Sequence, residues 1–295
     1  MLESKTEKSA ALRKFDFAGF KSRMTNFAMP HCGNLICVAK LRFREKNGVQ
    51  KMFYYGGFDL SYLIFAVPAL LLGMWAQSAV KTRFAKYDRI RTKKGVTGAQ
   101  AAAILLRANG ITDVKIAHIK GNLTDNYNPA NKVLSLSDAT YSSSSIAAVG
   151  VAAHETGHAI QHNVGYFPLE FRRMLVPVAN LGSTFGPILA IAGLGFGYSA
   201  ASSEYVPICQ LLTNIGLLLF AGATLFYLVT LPVEFNASWR ALKILKGAGV
   251  FVDKDEVAGA REVLWAAAMT YVASALGAIG NFARLLLLTQ KRRRR

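Results

Sequence analysis

The chain is short of charge. Only 18% of its 295 residues are Asp, Glu, Lys or Arg, against about 25% in an average soluble domain. Hydrophobic residues make up 52%, and the mean hydropathy is +0.27. A disordered chain is poor in apolar residues, so disorder is excluded, and the balance argues against a soluble protein. Cysteine is scarce too. Three residues cannot build a disulfide-stapled scaffold. Only Cys209 lies within 52–295, so no disulfide can form inside that segment, which suits a reducing compartment.

Acidic residues are half as frequent as basic ones, 17 against 35, for a net charge of +18. Such an excess suggests a nucleic-acid partner until it is located. Residues 1–51 carry +7 and the tail Lys291 to Arg295 adds +5. The rest is mixed in sign, and no basic groove with interleaved aromatics is visible, so no nucleic-acid partner is expected. The tail suits either anionic lipid headgroups or plain solvation.

The longest absence is of Lys and Arg between Met174 and Ser238. Four apolar stretches approach or exceed the roughly 20 residues that a membrane helix needs: Leu60 to Ala76, Met174 to Ala201, Val206 to Val229 and Leu264 to Leu288. The second and third, joined near Glu204, read as a transmembrane hairpin. Lys and Arg mark the cytoplasmic side of a membrane protein. Residues 77–173 hold 13 of them and 232–263 hold five: Arg240, Lys243, Lys246, Lys254 and Arg261. Both segments are therefore expected in the cytoplasm, with the chain in the inner (plasma) membrane. A full crossing by 264–288 would put the basic tail on the far side. A break at Gly277, Gly280 and Asn281 would instead make a re-entrant pair.

The expected fold is an α-helical integral membrane protein of about four transmembrane helices with a small α+β insert. Its parts are a polar basic extension (1–51), a first span (52–76), the insert (77–173), the hairpin (174–231), a cytoplasmic segment (232–263) and a last span or re-entrant helix with its tail (264–295). The extension has no signal-peptide pattern. Its His31, Cys32 and Cys37 match no common zinc spacing. Met52, just before the first span, is the expected natural start.

Within the insert, Gly95 to Gly110 reads as a helix capped by Thr97. Val114 to Ile119 and Lys132 to Ser137 are β-prone, and the turn-rich Gly121 to Pro129 between them suggests a small hairpin or sheet edge. Ser144 to Asn163 is an alanine-rich helix that contains His154, Glu155, Thr156, Gly157 and His158. This is H-E-x-x-H. Residues four apart share one helix face, so two imidazoles can meet one Zn²⁺ at about 2.0–2.1 Å. Glu155 can then serve as general base towards a water whose pKa the zinc lowers.

A catalytic zinc takes a third protein ligand and keeps one position open. A histidine six residues after His158 would complete the metzincin pattern, but that position is Val164. His162 drifts about 80° around the helix from His154 and reads as a surface residue. Glu234 is the better candidate, because the hairpin returns it to the membrane side of His154. It is expected just outside the third span, at the start of a helix. An acidic residue so close to an apolar span needs a reason. The other reading is a carboxylate favoured by the helix dipole.

At Val149 to Gln161 and Leu231 to Ala241 the sequence resembles the YugP-like neutral zinc metallopeptidases of bacterial membranes. The likeness takes in Gly121 to Asp125 and Leu175 to Asn180. It runs from about Met52 to Leu288 and leaves out 1–51. It implies a gluzincin-like membrane protease with His154 and His158 on zinc and Glu155 as base. A wider likeness is to the CAAX prenyl protease and heat-shock membrane protease group, which carries E-x-x-A-D after a transmembrane hairpin with its glutamate on zinc. Here Glu234 and Ala237 match, and Ser238 replaces the aspartate. Asn236 or Ser238 is expected to take over the orienting of a ligand histidine.

The expected activity is zinc-dependent peptide hydrolysis at the cytoplasmic membrane surface, with one Zn²⁺ per chain on His154, His158 and Glu234. Tyr127, Tyr166 and His162 are the candidates to stabilise the oxyanion. The Val114 to Ile119 edge is a candidate to bind substrate as an added strand. The partners are a peptide or membrane-protein substrate and the bilayer; nothing in the chain specifies an oligomeric state. A non-catalytic zinc-bound scaffold would have no use for Glu155. A site-2-type intramembrane protease would carry an L-D-G motif, which is absent. A transporter would need more intramembrane charge than Arg284 alone.

Overall fold

The computed structural model describes residues 60–199 and 203–293. The His31, Cys32 and Cys37 cluster and the start at Met52 lie outside the described residues. Four long helices dominate: α1 (Leu60–Asp88), α5 (Phe167–Ser199), α6 (Val206–Gly247) and α7 (Lys254–Arg293). Each is long and apolar enough to cross a membrane. Between α1 and α5 lie α2 (Gly98–Ala108), β1 (Lys115–Ile119), β2 (Asn126–Asn128), β3 (Val133–Ser137), a one-turn α3 (Asp138–Tyr141) and α4 (Ile146–Asn163).

All four long helices outrun the apolar stretches read from the sequence. At 1.5 Å per residue the 42 residues of α6 extend about 63 Å, twice a hydrocarbon core of about 30 Å. Residues 232–247 are therefore helix, not connection, and Glu234 stands inside α6 rather than at a helix start. This corrects the expectation, and with it the dipole reading of Glu234. Pro232 lies inside α6, where proline ordinarily marks a boundary because it removes an N–H and crowds the carbonyl four residues back. Membrane helices tolerate this when their surroundings satisfy the freed group.

The last helix is likewise continuous through Gly277, Gly280 and Asn281, without the break of a re-entrant pair. Its glycines serve packing: a Cβ on Gly280 would stand 2.7 Å from the Phe65 carbonyl oxygen of α1. The α5–α6 hairpin is closer still, because a Cβ on Gly182 would fall 2.1 Å from the Leu219 carbonyl oxygen. Small residues at these crossings bring the backbones together and maximise dispersion contact, which drives helix association in lipid. Arg284 is buried in α7 with its guanidinium 5.2 Å from the Tyr62 ring centroid.

The insert packs on the extended ends of these helices. Thr97 caps α2 in a reciprocal box with Gln100, as its sequence indicates. Ser145 caps α4 by accepting from the Ala148 N–H and donates to Asp88 at the end of α1. The strand order is β1-β3-β2, with β1 parallel and β2 antiparallel to β3. Of the two expected arrangements, a small hairpin or a sheet edge, the hairpin of the two β-prone runs is corrected, while β1 does lie at a sheet edge. Those runs pair in parallel, and a three-residue strand inside the turn-rich segment makes the hairpin with β3. A parallel pair requires the chain to cross back, and Gly121 and Leu123, both at positive φ, turn it there. One core of Tyr87, Leu105, Val149, Leu245, Val263 and Leu264 joins α1, α2, α4, α6 and α7.

Helix α4 is enclosed. Its alanines and glycines allow close approach on several sides: a Cβ on Gly150 would meet Ala260 of α7 at 3.1 Å, and one on Gly157 would stand 2.6 Å from the Ala237 carbonyl oxygen of α6. The second contact lies between the two histidines of the motif and next to Glu234 in space. Gly157→Ala is therefore expected to push α4 from α6, costing about 1–3 kcal/mol of stability and weakening zinc binding. Thermal unfolding and a zinc titration check this; an unchanged zinc affinity would contradict it.

Candidate metal centre

Helix periodicity places His154 and His158 on one face of α4, and that face meets α6 at Glu234. The Nε2 atoms of His154 and His158 lie 3.2 and 3.6 Å from Glu234 Oε2. One ligand atom from each of the three residues falls within 4.8 Å of the others. Ligands at about 2.0–2.2 Å around a tetrahedral ion stand roughly 3.3–3.5 Å apart, so the two histidine–Glu234 separations match the spacing of donors on one zinc ion. Glu234 is almost fully buried at 2% exposure, where a carboxylate without cationic partners would be costly.

Each of the three is held from behind. Ser238 Oγ lies 3.1 Å from His154 Nδ1. Gln161 Oε1 lies 3.0 Å from His158 Nδ1, and the Gln161 amide donates to the Val233 carbonyl and to Asn236 Oδ1. Arg240 donates to the same Asn236 oxygen at 2.7 Å. Arg172 of α5 donates to Glu234 Oε1 at 2.9 Å, leaving Oε2 towards the histidines. Such outer partners fix the tautomer and orientation of metal ligands. Ser238 thus stands where it can orient His154, whereas Asn236 reaches His158 through Gln161. Sequence reasoning missed Gln161 and Arg172. Gln161 follows His158 by one helical turn, which was a usable signal. Arg172 was counted only as a flanking cation, and nothing in its spacing points to Glu234.

Glu155 lies on the α4 turn that carries His154. Burial pushes its carboxyl up to about 7; His154 favours the charged form, while Glu234 and Asp125 oppose it. The Tyr127 main-chain N–H of β2 faces this carboxylate. The Tyr127 hydroxyl pairs instead with His162 Nδ1 at 2.9 Å. His162 is outside the three-residue ligand group. Tyr166 packs under Arg240, whose guanidinium carbon is 5.8 Å from the ring centroid. Tyr271 of α7 bonds Glu234 from the other side and was not foreseen. Both β1 and β2 are sheet edges, but it is β2 that contacts α4. The strand edge beside the motif is therefore Asn126–Asn128, not the Val114 to Ile119 edge proposed from sequence.

The family described as "Putative neutral zinc metallopeptidase" matches residues 62–290. A Bacillus subtilis (strain 168) protein named "Putative membrane protease YugP" is 39% identical over 227 residues, covering 77% of this chain and 96% of the relative. No solved structure gives a significant match.

Proposed function

The chain belongs to the neutral zinc metallopeptidase family, and from that premise we propose that it hydrolyses peptide bonds with one Zn²⁺ held by His154, His158 and Glu234. The observation that carries the reading is the convergence of these three donors within 4.8 Å beside Glu155. Zinc, when bound, supplies Lewis acidity and makes water nucleophilic near neutral pH.

The chain's own groups supply the rest. Glu155 accepts a proton from the attacking water at a carboxylate oxygen and delivers it to the departing amine nitrogen. Its raised pKa, near 7, suits a group that must both take and give a proton. Ser238 and Gln161 keep the Nε2 atoms of the histidines aimed at Glu234. Arg172 occupies one Glu234 oxygen and so favours single-oxygen ligation through the other. A substrate strand adds along β2, the edge beside the site, with its main chain hydrogen-bonded to Asn126–Asn128. The Tyr127–His162 pair and Tyr166 are the groups proposed near the developing oxyanion.

The catalytic face is cytoplasmic. Thirteen Lys and Arg in 77–173 and five in 232–263 support this, against none in the connection between α5 and α6. Chelation tests the enzymatic reading. Treating detergent-solubilised protein with a zinc chelator is expected to abolish cleavage of a fluorogenic protein substrate, and stoichiometric zinc to restore it. Cleavage that persists through complete zinc removal would overturn the proposal.

A further inference from the structure

The three tryptophans of the chain stand towards the insert end of the bundle, within about 14 Å of one another along it. Trp75, Trp239 and Trp265 are each more than half exposed, at 52%, 57% and 54%. They lie on three different helices, α1, α6 and α7. The packing of those helices gives their relative heights. Helix α7 runs antiparallel to α1, with Ala273 beside Gly73 and Gly280 beside Phe65. It also runs antiparallel to α6, with Trp265 against Phe235 and Phe282 against Phe220. Trp265 is thus level with Phe235, Trp75 is level with about Thr230, and Trp239 is five residues beyond Glu234. At 1.5 Å per residue, all three fall within about 8 Å of Glu234 along the bundle.

An exposed tryptophan on a membrane helix marks the headgroup boundary, where its ring is half apolar and half wet. Charge follows the same line. Arg173 of α5 and Lys81 of α1 are the first cations on the insert side of the apolar stretches, and Lys243 lies over the Trp239 ring at 5.0 Å. Two large apolar side chains at this end of α5, Phe167 and Met174, are each 73% exposed, next to the cations.

The length of the bundle is consistent with this depth. A hydrocarbon core of about 30 Å corresponds to about 20 helical residues. Counted from the level of Trp75, 20 residues along α7 run from Tyr271 to Lys291, the first residue of the basic tail. The core therefore fits between Trp75 and that tail. Glu234 is then about 6 Å outside it, within a headgroup layer about 5–7 Å thick on each side.

We propose that the zinc centre works inside the lipid headgroup layer, and that its substrates are the juxtamembrane segments of membrane-anchored polypeptides. The substrate part rests on the proteolytic reading above; the depth part does not. An extended chain advances about 3.3 Å per residue, so a bond at the level of Glu234 lies about two residues beyond the end of a substrate's membrane helix. A soluble peptide must partition into the headgroups to reach it, whereas an anchored one is already at that depth.

The test uses the full chain reconstituted in phosphatidylcholine–phosphatidylglycerol vesicles. Three variants each retain one tryptophan, the other two being changed to Phe, and quenching by lipids brominated at different depths is read from each. Quenching of Trp75 is expected to be strongest with bromine near the headgroup, at least twofold over bromine near the chain ends, with Trp265 and then Trp239, about 8 and 14 Å outside the core, quenched progressively less. Trp75 insensitive to every brominated lipid, or any of the three quenched most by the deepest, would overturn the depth assignment. In the same vesicles, one cleavable sequence is placed two residues and 15 residues beyond a synthetic membrane helix, and is also supplied without an anchor. The near placement is expected to be cut at least tenfold faster than the other two. Equal rates would overturn the substrate class. No cleavage of any peptide by zinc-loaded protein, with quenching as expected, would overturn the proteolytic reading and the substrate class with it, and leave the depth assignment standing.

Discussion

Glu155→Gln should retain zinc and lose hydrolysis, with kcat reduced about 10²–10⁴-fold, the usual contribution of a general base. Glutamine keeps the size and hydrogen-bonding shape of the side chain but cannot accept the water proton. The ligand atoms of His154, His158 and Glu234 are untouched, so metal content should match wild type. The two readouts together separate base from ligand: a variant that loses zinc as well would make Glu155 a structural part of the site. Full activity with full zinc would refute its role as base.

Glu234→Gln has the second large effect, through metal affinity. It removes the anionic donor from a site otherwise made of two neutral imidazoles. It also leaves the Arg172 guanidinium facing an amide instead of a carboxylate. Zinc affinity is expected to fall by at least 100-fold and activity to fall with it. Stability supplies a readout independent of any substrate. A metal that binds only the folded state stabilises it by about 2.7 kcal/mol at 100 times its Kd. Added zinc should therefore raise the unfolding temperature of wild type, and the same concentration should raise that of Glu234→Gln far less, since zinc at the variant's own Kd stabilises by only about 0.4 kcal/mol. An equal shift in both proteins would remove Glu234 from the ligand set.

The parts of the fold and site that were legible in the sequence are those governed by local periodicity. His154 and His158 share a face because helical residues four apart always do. The four spans are visible because a lipid-facing helix cannot hide charge. Glu234 was findable because a hairpin with two crossings must return the chain to the side it left. The illegible parts depend on where rigid elements end. Pro232 reads as a boundary, yet α6 passes through it, so Glu234 projects from the middle of a rod rather than from a helix start. Strand β2 has only three residues, Asn126, Tyr127 and Asn128, too few for alternation to show. It forms because β3 offers it an edge. Arg172 reaches Glu234 only because α5 begins at Phe167, seven residues before its apolar stretch, and so carries the guanidinium alongside α6.

The position of the insert follows from the same helix extensions. Helices α1, α6 and α7 continue past the bilayer and supply walls for the core that encloses α4. The glycines at 150 and 157 let the motif helix lie against two of those walls. A soluble zincin module on a flexible tether would not need such contacts. Here the three proposed zinc ligands are divided between the insert and a membrane helix, so on this proposal the site is complete only when the two are docked.

The decisive measurement is zinc per chain in detergent-purified protein, by elemental analysis, for wild type beside Glu234→Ala. The three-ligand site predicts close to one zinc in wild type and a clear reduction in the variant. Wild type without zinc after purification with supplied metal would contradict it, as would a variant that keeps the full complement.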